Sequence, residues 1–373
     1  MAFAALLNMI AVGGAQNGLI RQAAAAEDES ALARAQSAAL VIWGVAAPLL
    51  WLLIAISSRW ISRILVGTTD HWWVVIAIAF IALVAGPGQI WCSILTGRKQ
   101  VTSSLFAQAI GLLGSTIVAG CLIVRGDPIL ATIGFASGSL ITMTIAALRV
   151  SRMRLRLVMP GFAAAELRVL LRYSAAFAAT TGYSSIMLFA LRSFYRDYFG
   201  TASLGYWLAA NRISDMSTQF LGLFMIQFFV PHLAMLDSEV ARRALVMRCW
   251  MAGTAVMGSV VLVFAFASRP LVHIFLSNAF LPAIPAIRVY MIGDCLRVWA
   301  CLAMYSAFAR GRPGSYALIE IGTLTLMAAL VVALTVSGEA RAPFIGYAGA
   351  YAGAAIVISI VFLWRALPAR TAP

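Results

Sequence analysis

The sequence predicts an all-α polytopic membrane protein, built as a two-lobed helical bundle. Of the 373 residues, 62% are hydrophobic and only 11% are charged, whereas a soluble domain has about 25% charged residues. The mean hydropathy is +0.94. The apolar residues form long runs, and a basic polar segment near the middle of the chain separates these runs into two sets.

The apolar runs predict about eleven transmembrane helices, because about 20 apolar residues cross the hydrocarbon core of a bilayer. The predicted spans are residues 1–20, 37–57, 72–96, 104–124, 128–148, 173–193, 203–230, 248–268, 287–309, 315–336 and 344–364. The third span contains Pro87 between two glycines, which predicts a kink in that helix.

The longest polar connection, residues 149–172, predicts the division into lobes. We expect an N-terminal lobe of residues 1–148 with five helices and a C-terminal lobe of residues 173–373 with six helices. The connection is basic and predicts a cytoplasmic linker at the anionic membrane surface. Residues 163–172 have the pattern of an amphipathic helix that lies in the interface.

The loop charges predict the orientation of the chain. Most basic loop residues fall on the side that holds the C-terminus, and cytoplasmic loops collect Lys and Arg. A cytoplasmic C-terminus and eleven spans would place Met1 outside, yet the first span has no polar leader. We therefore expect that one N-terminal helix is missing, by truncation or a misassigned start. A signal peptide is the alternative, although Asn8, Gln16 and Asn17 interrupt its apolar core.

Several functional classes lack support in the sequence. The basic loops explain most of the net charge of +14, so no nucleic-acid partner is expected. The five cysteines form no CxxC pair, the three histidines are far apart, and no GxxxxGK[ST] motif occurs. We therefore expect no metal site, no cofactor and no intrinsic ATPase. The few acidic residues also argue against a membrane glycosyltransferase or polymerase, so the protein is not expected to be an enzyme.

Charged residues at bilayer depth are the best indication of a functional site. Arg212 and Asp215 lie in the seventh span, and Asp294 and Arg297 lie in the ninth. Each such charge costs roughly 2.5–3.5 kcal/mol on insertion scales, so it usually faces a partner or a water-filled route. Each acid and base are three residues apart, on one helical face. The alternative is that these pairs only hold helices together.

Other polar residues extend this candidate pathway. Asn17 and Arg21 lie at the inner end of the first span, Arg192 at the outer end of the sixth, and Glu320 in the tenth. With the two arginines of the seventh and ninth spans, Arg21 and Arg192 predict a sparse cationic ladder for an anionic headgroup. A guanidinium suits this task because it binds phosphate bidentately and stays charged. Snorkelling to the interface is the alternative for Arg192 and Arg21.

The acids of the two pairs have two candidate roles. They would hold the arginines in place and keep an empty cavity from becoming too positive. Asp215 or Asp294 is also a candidate proton carrier for coupled transport.

Several polar blocks carry a family resemblance. The run GGAQNGLIRQAAAAEDESALARAQSAAL resembles the second helix and following loop of Wzx-type flippases. Within that group, it is most similar to the enterobacterial common antigen lipid III flippase and to O-antigen translocases. Further similar blocks are LRSFYRDYFG, GYWLAANRISDMSTQF, LSNAF, VYMIGDCLRVWA, YALIEIGTLTL and FLWR.

The resemblance implies a member of the multidrug/oligosaccharidyl-lipid/polysaccharide exporter superfamily, with twelve helices in two lobes around a central cavity. Such a protein moves an undecaprenyl-diphosphate-linked oligosaccharide from the cytoplasmic to the periplasmic leaflet of the bacterial inner membrane. The resemblance also implies a polysaccharide polymerase and a chain-length regulator as partners. The positions that match the family's charged residues are Arg21, Arg192, Asp215, Asp294, Arg297 and Glu320.

Two other functions stay open. One is a cation-coupled multidrug exporter of the same superfamily, which would need acids to dominate the cavity. The other is a membrane scaffold of a polysaccharide assembly complex with no transport of its own. A scaffold predicts that matched apolar residues can replace the charge pairs without effect.

Overall fold

The computed structural model describes residues 12–26, 28–66, 68–153 and 164–366, and these residues form helices and turns without any strand. Nine helical segments within these ranges are long and apolar enough to cross a membrane. One of them, Ala164–Ala234, is 71 residues long and includes both the sixth and the seventh predicted spans. Most of the first predicted span lies outside the described residues. The predicted all-α polytopic fold class is confirmed.

The chain divides into two compact units, unit 1 (Met1–Ala178) and unit 2 (Ala179–Pro373). Residues 154–163 of the predicted linker lie outside the described residues. Residues 164–172 form the first turns of a long helix. The lobe and linker boundaries stay predictions.

Unit 1 consists of short and long apolar helices. They are α1 (Gly13–Ala25), α2 (Glu29–Val66), α3 (Trp72–Val84), α4 (Gly86–Gly97), α5 (Val101–Val124), α6 (Pro128–Ala136), α7 (Gly138–Ser151) and the start of α8 (Ala164–Phe224). The third predicted span is divided at Ala85, and Pro87 lies in the first turn of α4. A proline fits there because the first-turn N–H groups have no partner within the helix.

Charged and polar groups fix the start of α2. The backbone N–H of Ala31 donates to Oδ1 of Asp28 at 2.7 Å, and the Ser30 hydroxyl donates to Oδ2 at 3.0 Å. These hydrogen bonds lower the pKa of the Asp28 carboxyl below its usual value. Farther along α2, Arg34 Nε lies 2.9 Å from Oε1 of Glu166 on α8. Both contacts tie the beginning of α2 to its surroundings in unit 1.

Unit 2 contains the rest of α8 and five further α-helices. They are α9 (Val230–Ala234), α10 (Glu239–Phe275), α11 (Ile284–Ala309), α12 (Pro313–Val336) and α13 (Ala342–Ala366). A π-helical turn, Met225–Phe229, precedes α9, and a 3₁₀ turn, Asn278–Ala283, precedes α11. Within α8, Gly200 has φ 80° and ψ 174°, and this non-helical residue marks a kink between two helical parts. Only glycine adopts this conformation at low cost.

Helix α11 is the central helix of unit 2. It packs against α10, α12 and α13, and its buried residues are distributed around the whole helix. A helix that is buried on all sides needs apolar residues all round. The charged residues of α11 are therefore exceptions to its composition, and their contacts define the candidate site.

Candidate functional site

The buried carboxylate of Asp294 lies at the centre of the site in unit 2. Its side chain is fully buried on α11. Oδ1 accepts hydrogen bonds from the Ser214 hydroxyl of α8 at 2.6 Å and from the Tyr347 hydroxyl of α13 at 2.7 Å. Oδ2 is also buried and has no hydrogen-bond partner among the described residues. Asp294 thus joins three helices through one oxygen and retains a second acceptor.

A second polar contact joins the same helices one turn away. The Tyr290 hydroxyl of α11 donates to the side-chain oxygen of Asn211 on α8. The Tyr290 ring stacks on the Tyr347 ring with a centroid distance of 3.8 Å and an interplanar angle of 8°. Tyr347 in turn makes an edge contact with Tyr351 at 4.8 Å. The site is therefore lined by three tyrosines from α11 and α13.

Arg297 lies one turn beyond Asp294 and faces these aromatic rings. Its Nη1 lies 3.4 Å from the Tyr347 hydroxyl, which makes a weak hydrogen bond, and its guanidinium is 5.6 Å from the centre of the Tyr351 ring. Its Nε is buried without a partner among the described residues. A guanidinium over an aromatic face is stabilised by the ring quadrupole. Arg297 thus keeps one buried donor, Nε, without a partner among the described residues.

The predicted acid–base pairs do not form direct ion pairs. Within the described ranges, no ion pair within 4.0 Å joins Asp294 to Arg297 or Arg212 to Asp215. Oδ1 of Asp294 instead accepts hydrogen bonds from the hydroxyls of Ser214 and Tyr347 on neighbouring helices. The roles of the two acids beside the arginines stay predictions.

Arg212 and Asp215 lie on the exposed side of α8, although Ile213 and Ser214 between them are buried. One turn of α8 therefore presents Ser214 to the buried Asp294 and Arg212 to the outside of unit 2. No ion pair holds the Arg212 guanidinium in the described part of the chain. An exposed and unpaired guanidinium in an apolar segment is available to an anionic ligand.

Arg192 contacts an aromatic ring farther back along α8, whereas Glu320 of α12 lies close enough to Arg297 to interact with it electrostatically. The Arg192 guanidinium is 5.9 Å from the centre of the Trp207 ring, which is fully buried. Its Nε is buried without a partner in the described residues. Glu320 is half-buried on α12 and forms no ion pair within the described ranges. These two residues stay candidates for the pathway.

Asn17 and Arg21 lie in unit 1, on α1. Both side chains are half-buried, and Arg21 interacts with the side chain of Tyr173 on α8. Gly14 and Gly18 permit this contact, because α1 lies close to α8 there. A Cβ on Gly14 would lie 2.5 Å from the Cα of Ser174, and a Cβ on Gly18 would lie 2.9 Å from a methyl group of Leu170. This pair of glycines is a small-xxx-small contact.

Sequence reasoning missed the uncharged members of the site in unit 2. Asn211, Ser214, Tyr290, Tyr347 and Tyr351 contact one another or the charged residues. A signal exists in the spacing, because Tyr290 lies four residues before Asp294 and Tyr347 lies four before Tyr351. Such pairs lie on one helical face.

Within the described residues, no group of three or more His, Cys, Asp or Glu side chains is arranged to hold a metal ion.

Comparisons with known proteins give a family and a fold. Residues 1–237 match the family described as polysaccharide biosynthesis protein. No match was found among curated protein sequences.

Several solved structures are similar over almost the whole chain. One is a MATE protein in the bent conformation, with a TM-score of 0.84 and 13% identity, over 96% of this chain and 84% of that one. A multidrug resistance MATE family transporter of the MOP superfamily in an outward-facing conformation has a TM-score of 0.82 and 14% identity, over 96% and 84%.

A MOP superfamily transporter from Pyrococcus furiosus is also similar, and its structure is described as having a binding pocket of reverse polarity. Its TM-score is 0.83 at 15% identity, over 97% of this chain and 86% of that one. At these identities the likeness establishes the fold, which is that of MATE transporters.

Proposed function

The chain belongs to the polysaccharide biosynthesis protein family, and we propose that it is a flippase for lipid-linked oligosaccharides. Its substrate would be an undecaprenyl-diphosphate-linked oligosaccharide such as lipid III or an O-antigen unit. The protein would move this lipid from the cytoplasmic to the periplasmic leaflet of the bacterial inner membrane by alternating access. A bilayer-spanning fold shared with MATE transporters supports transport over catalysis.

The substrate class is inferred from the exposure of Arg212. Its guanidinium lies within an apolar segment and has no ion-pair partner in the described part of the chain. A permanent positive charge in this position attracts a diphosphate and disfavours a cationic drug. Arg297 supplies a second guanidinium with a free Nε in unit 2. We assign diphosphate contacts to Arg212 and Arg297, and further contacts along the pathway to Arg192, Arg21 and Asn17.

The test is complementation in a bacterium that lacks its lipid III flippase. We expect the wild-type chain to restore the surface polysaccharide, and Arg212→Ala and Arg297→Ala to lose at least about tenfold of this activity, the equivalent of one charge-assisted contact. Arg125→Ala, which removes an exposed arginine at the end of α5, is the matched control and should keep full activity. Full activity in both test variants, with each protein present in the membrane, would remove the proposed pathway.

Proton coupling is the second part of the proposal, and we assign it to Asp294. Its buried Oδ2 has no partner in the described residues, so the carboxyl can take up a proton without breaking a hydrogen bond at that oxygen. Asp294→Asn should abolish the dependence of transport on a proton gradient, whereas Asp215→Asn should retain it. Gradient-dependent transport by Asp294→Asn would assign the coupling to another group, such as Asp215 or Glu320.

A multidrug exporter is the second candidate, because one of the structures with the same fold is described as a multidrug resistance transporter. This function predicts that expression of the chain raises resistance to cationic dyes. It also predicts that Arg212→Ala increases dye export, since removal of a positive charge favours a cationic substrate. Loss of surface polysaccharide in the same variant would instead support the flippase. The scaffold alternative predicts that apolar replacements of the charged residues have no effect on either measurement.

A further inference from the structure

Unit 2 has an apolar groove whose lining does not include the charged residues assigned to the diphosphate. The groove has a volume of about 750 Å³. One wall is the face of α8 from Ile213 to Phe224, and the other is the face of α10 from Ala252 to Phe275. A volume of this size is typical of ligand pockets, which span roughly 300–1,000 Å³.

The lining of the groove offers no free polar group. Its two polar side chains are Ser217 and Ser259. The Ser217 hydroxyl donates to the carbonyl of Ser214 at 2.9 Å, and the Ser259 hydroxyl donates to the carbonyl of Ala255 at 2.8 Å. Both hydroxyls are therefore satisfied within their own helices. A ligand of this groove must be hydrocarbon along the whole length of contact.

The shape of the groove fits a chain better than a compact molecule. The α8 wall follows one helical face over about twelve residues, which is roughly 18 Å at the rise of an α-helix. Phe220 is 75% exposed at the rim, whereas Phe264 is buried at the base with 3% exposure. The groove is thus long and open along one side. An extended hydrocarbon chain can lie in it and leave at either end.

The charged part of the site lies at one end of the groove. Arg212 directly precedes the first lining residue of α8, Ile213, and lies one helical turn before Met216. On α11, the lining residue Met291 lies one turn before Asp294. An exposed guanidinium is therefore continuous with an apolar wall. This arrangement is complementary to an amphipathic molecule with an anionic head and a hydrocarbon chain.

We propose that this groove binds the isoprenoid chain of a polyprenyl diphosphate lipid, in the units next to the diphosphate. The proposal rests on the proposed function, since the diphosphate is placed at Arg212. A cavity of roughly 150 Å³ holds one benzene molecule, so the groove has room for roughly 30 carbons by the same ratio. Because lipid tails are as apolar as the groove, binding depends on close packing and shape rather than on the hydrophobic effect. The proposal predicts that the branched isoprenoid chain binds in preference to straight acyl chains.

The experiment fills the groove without disturbing the core. Ala252 and Ala255 are both exposed on α10, one turn apart, but only Ala252 lines the groove. Ala252→Trp is the test variant, and Ala255→Trp is the matched control. Ser259→Trp, at another exposed lining position, is a second test variant in case the first does not fold.

The measurement is binding to the purified full chain by native mass spectrometry, with undecaprenyl diphosphate, inorganic diphosphate and phosphatidylglycerol as separate probes. Ala252→Trp and Ser259→Trp should weaken binding of undecaprenyl diphosphate about tenfold, the scale of one well-packed contact, and leave inorganic diphosphate unchanged. Ala255→Trp should match the wild type for all probes.

Three results would overturn the proposal. Equal affinity of all Trp variants for undecaprenyl diphosphate would show that the isoprenoid chain does not lie in the groove. If that binding still depends on Arg212, the proposed flippase function stands. An equal loss of phosphatidylglycerol binding would identify a general site for membrane lipids. No binding of either diphosphate by the wild type would contradict the proposed function itself, and the groove proposal with it.

Discussion

At the residue scale, Asp294 distributes its hydrogen bonds unevenly. Two hydroxyls donate to Oδ1, whereas the buried Oδ2 has no partner in the described part of the chain. A buried carboxylate needs such donors, because desolvation of a charge without them costs several kcal/mol. Ser214 and Tyr347 therefore position the carboxyl as well as stabilise it. The same tyrosine hydroxyl reaches Arg297, so one side chain connects the acid to the base.

Removal of the Tyr347 hydroxyl should weaken unit 2 at this point. Tyr347→Phe leaves Asp294 with one donor, and we expect a loss of about 1.5–3 kcal/mol of stability, the usual range for a hydrogen bond to a charged group. Asp294→Asn should reduce the effect of Tyr347→Phe in the double variant, since residues in one network are not additive. The stability of the wild type, the two single variants and the double variant is measured by thermal unfolding in detergent.

Tyr351→Phe is the control for this cycle, because the Tyr351 ring contacts Arg297 and Tyr347 but its hydroxyl has no role in binding Asp294. It should change stability little. Additive losses in the double variant would show that the hydroxyl and the carboxyl act independently.

Sequence reasoning identified the charged residues of the site but not their partners. A charged residue within an apolar span is costly to insert into a bilayer. The sequence alone therefore identifies Arg212, Asp215, Asp294 and Arg297. Their neighbours are far away along the chain, since Ser214 is 80 residues and Tyr347 is 53 residues from Asp294. A helical period predicts which residues share a face, but it does not predict which helices meet. The sequence therefore placed each acid and base on one helical face, but the hydroxyls that bind Asp294 came to light only in the packed helices.

At the element scale, the kink of α10 has a specific partner. Ala267 departs from helical geometry with φ −105° and ψ 21°, and Pro270 lies in the following turn. Pro270 cannot donate to the carbonyl of Phe266, four residues before it. Nη2 of Arg288 on α11 donates to the Ala265 carbonyl at 2.8 Å and to the Ser268 hydroxyl at 2.9 Å. Arg288 thus stabilises the distorted backbone between the two halves of α10.

Loss of the Arg288 side chain should destabilise this kink. Arg288→Ala removes two donors next to the distorted turn, and we expect a loss of about 1–3 kcal/mol, the cost of polar groups left without partners. Hydrogen exchange of the α10 backbone near Ala267 should become faster. Arg288→Lys keeps a cationic donor group and should lose less. Unchanged exchange in Arg288→Ala would mean that Pro270 alone determines the kink.

Helix boundaries were predictable where prolines and glycines lie at the break. Pro87 marked the division of the third span, and the structure ends α3 and begins α4 at that point. The division of α8 at Gly200 falls in the predicted gap between the sixth and seventh spans, residues 194–202. The π-helical turn at Met225–Phe229 had no such signal, because a π-helical turn depends on the packing around it. The close contact of Gly14 and Gly18 with α8 also became evident only from the packed helices.

At the scale of the whole molecule, composition and hydropathy were sufficient to predict the fold class. The share of hydrophobic residues and the length of the apolar runs require helices that cross a bilayer. The structural likeness to MATE transporters agrees with that prediction. The match to the polysaccharide biosynthesis family adds the biological context. The identity of the substrate depends on contacts that neither composition nor periodicity encodes.

The measurement that tests the flippase most directly is lipid movement in liposomes that contain the purified chain. Fluorescent undecaprenyl-diphosphate-linked oligosaccharide is placed in one leaflet, and its appearance in the other leaflet is followed over time. We expect the wild-type chain to raise the rate above that of protein-free liposomes, and Arg212→Ala to return it to that background. A rate equal to the background for the wild type, with export of a cationic dye by the same liposomes, would contradict the account and identify a drug exporter.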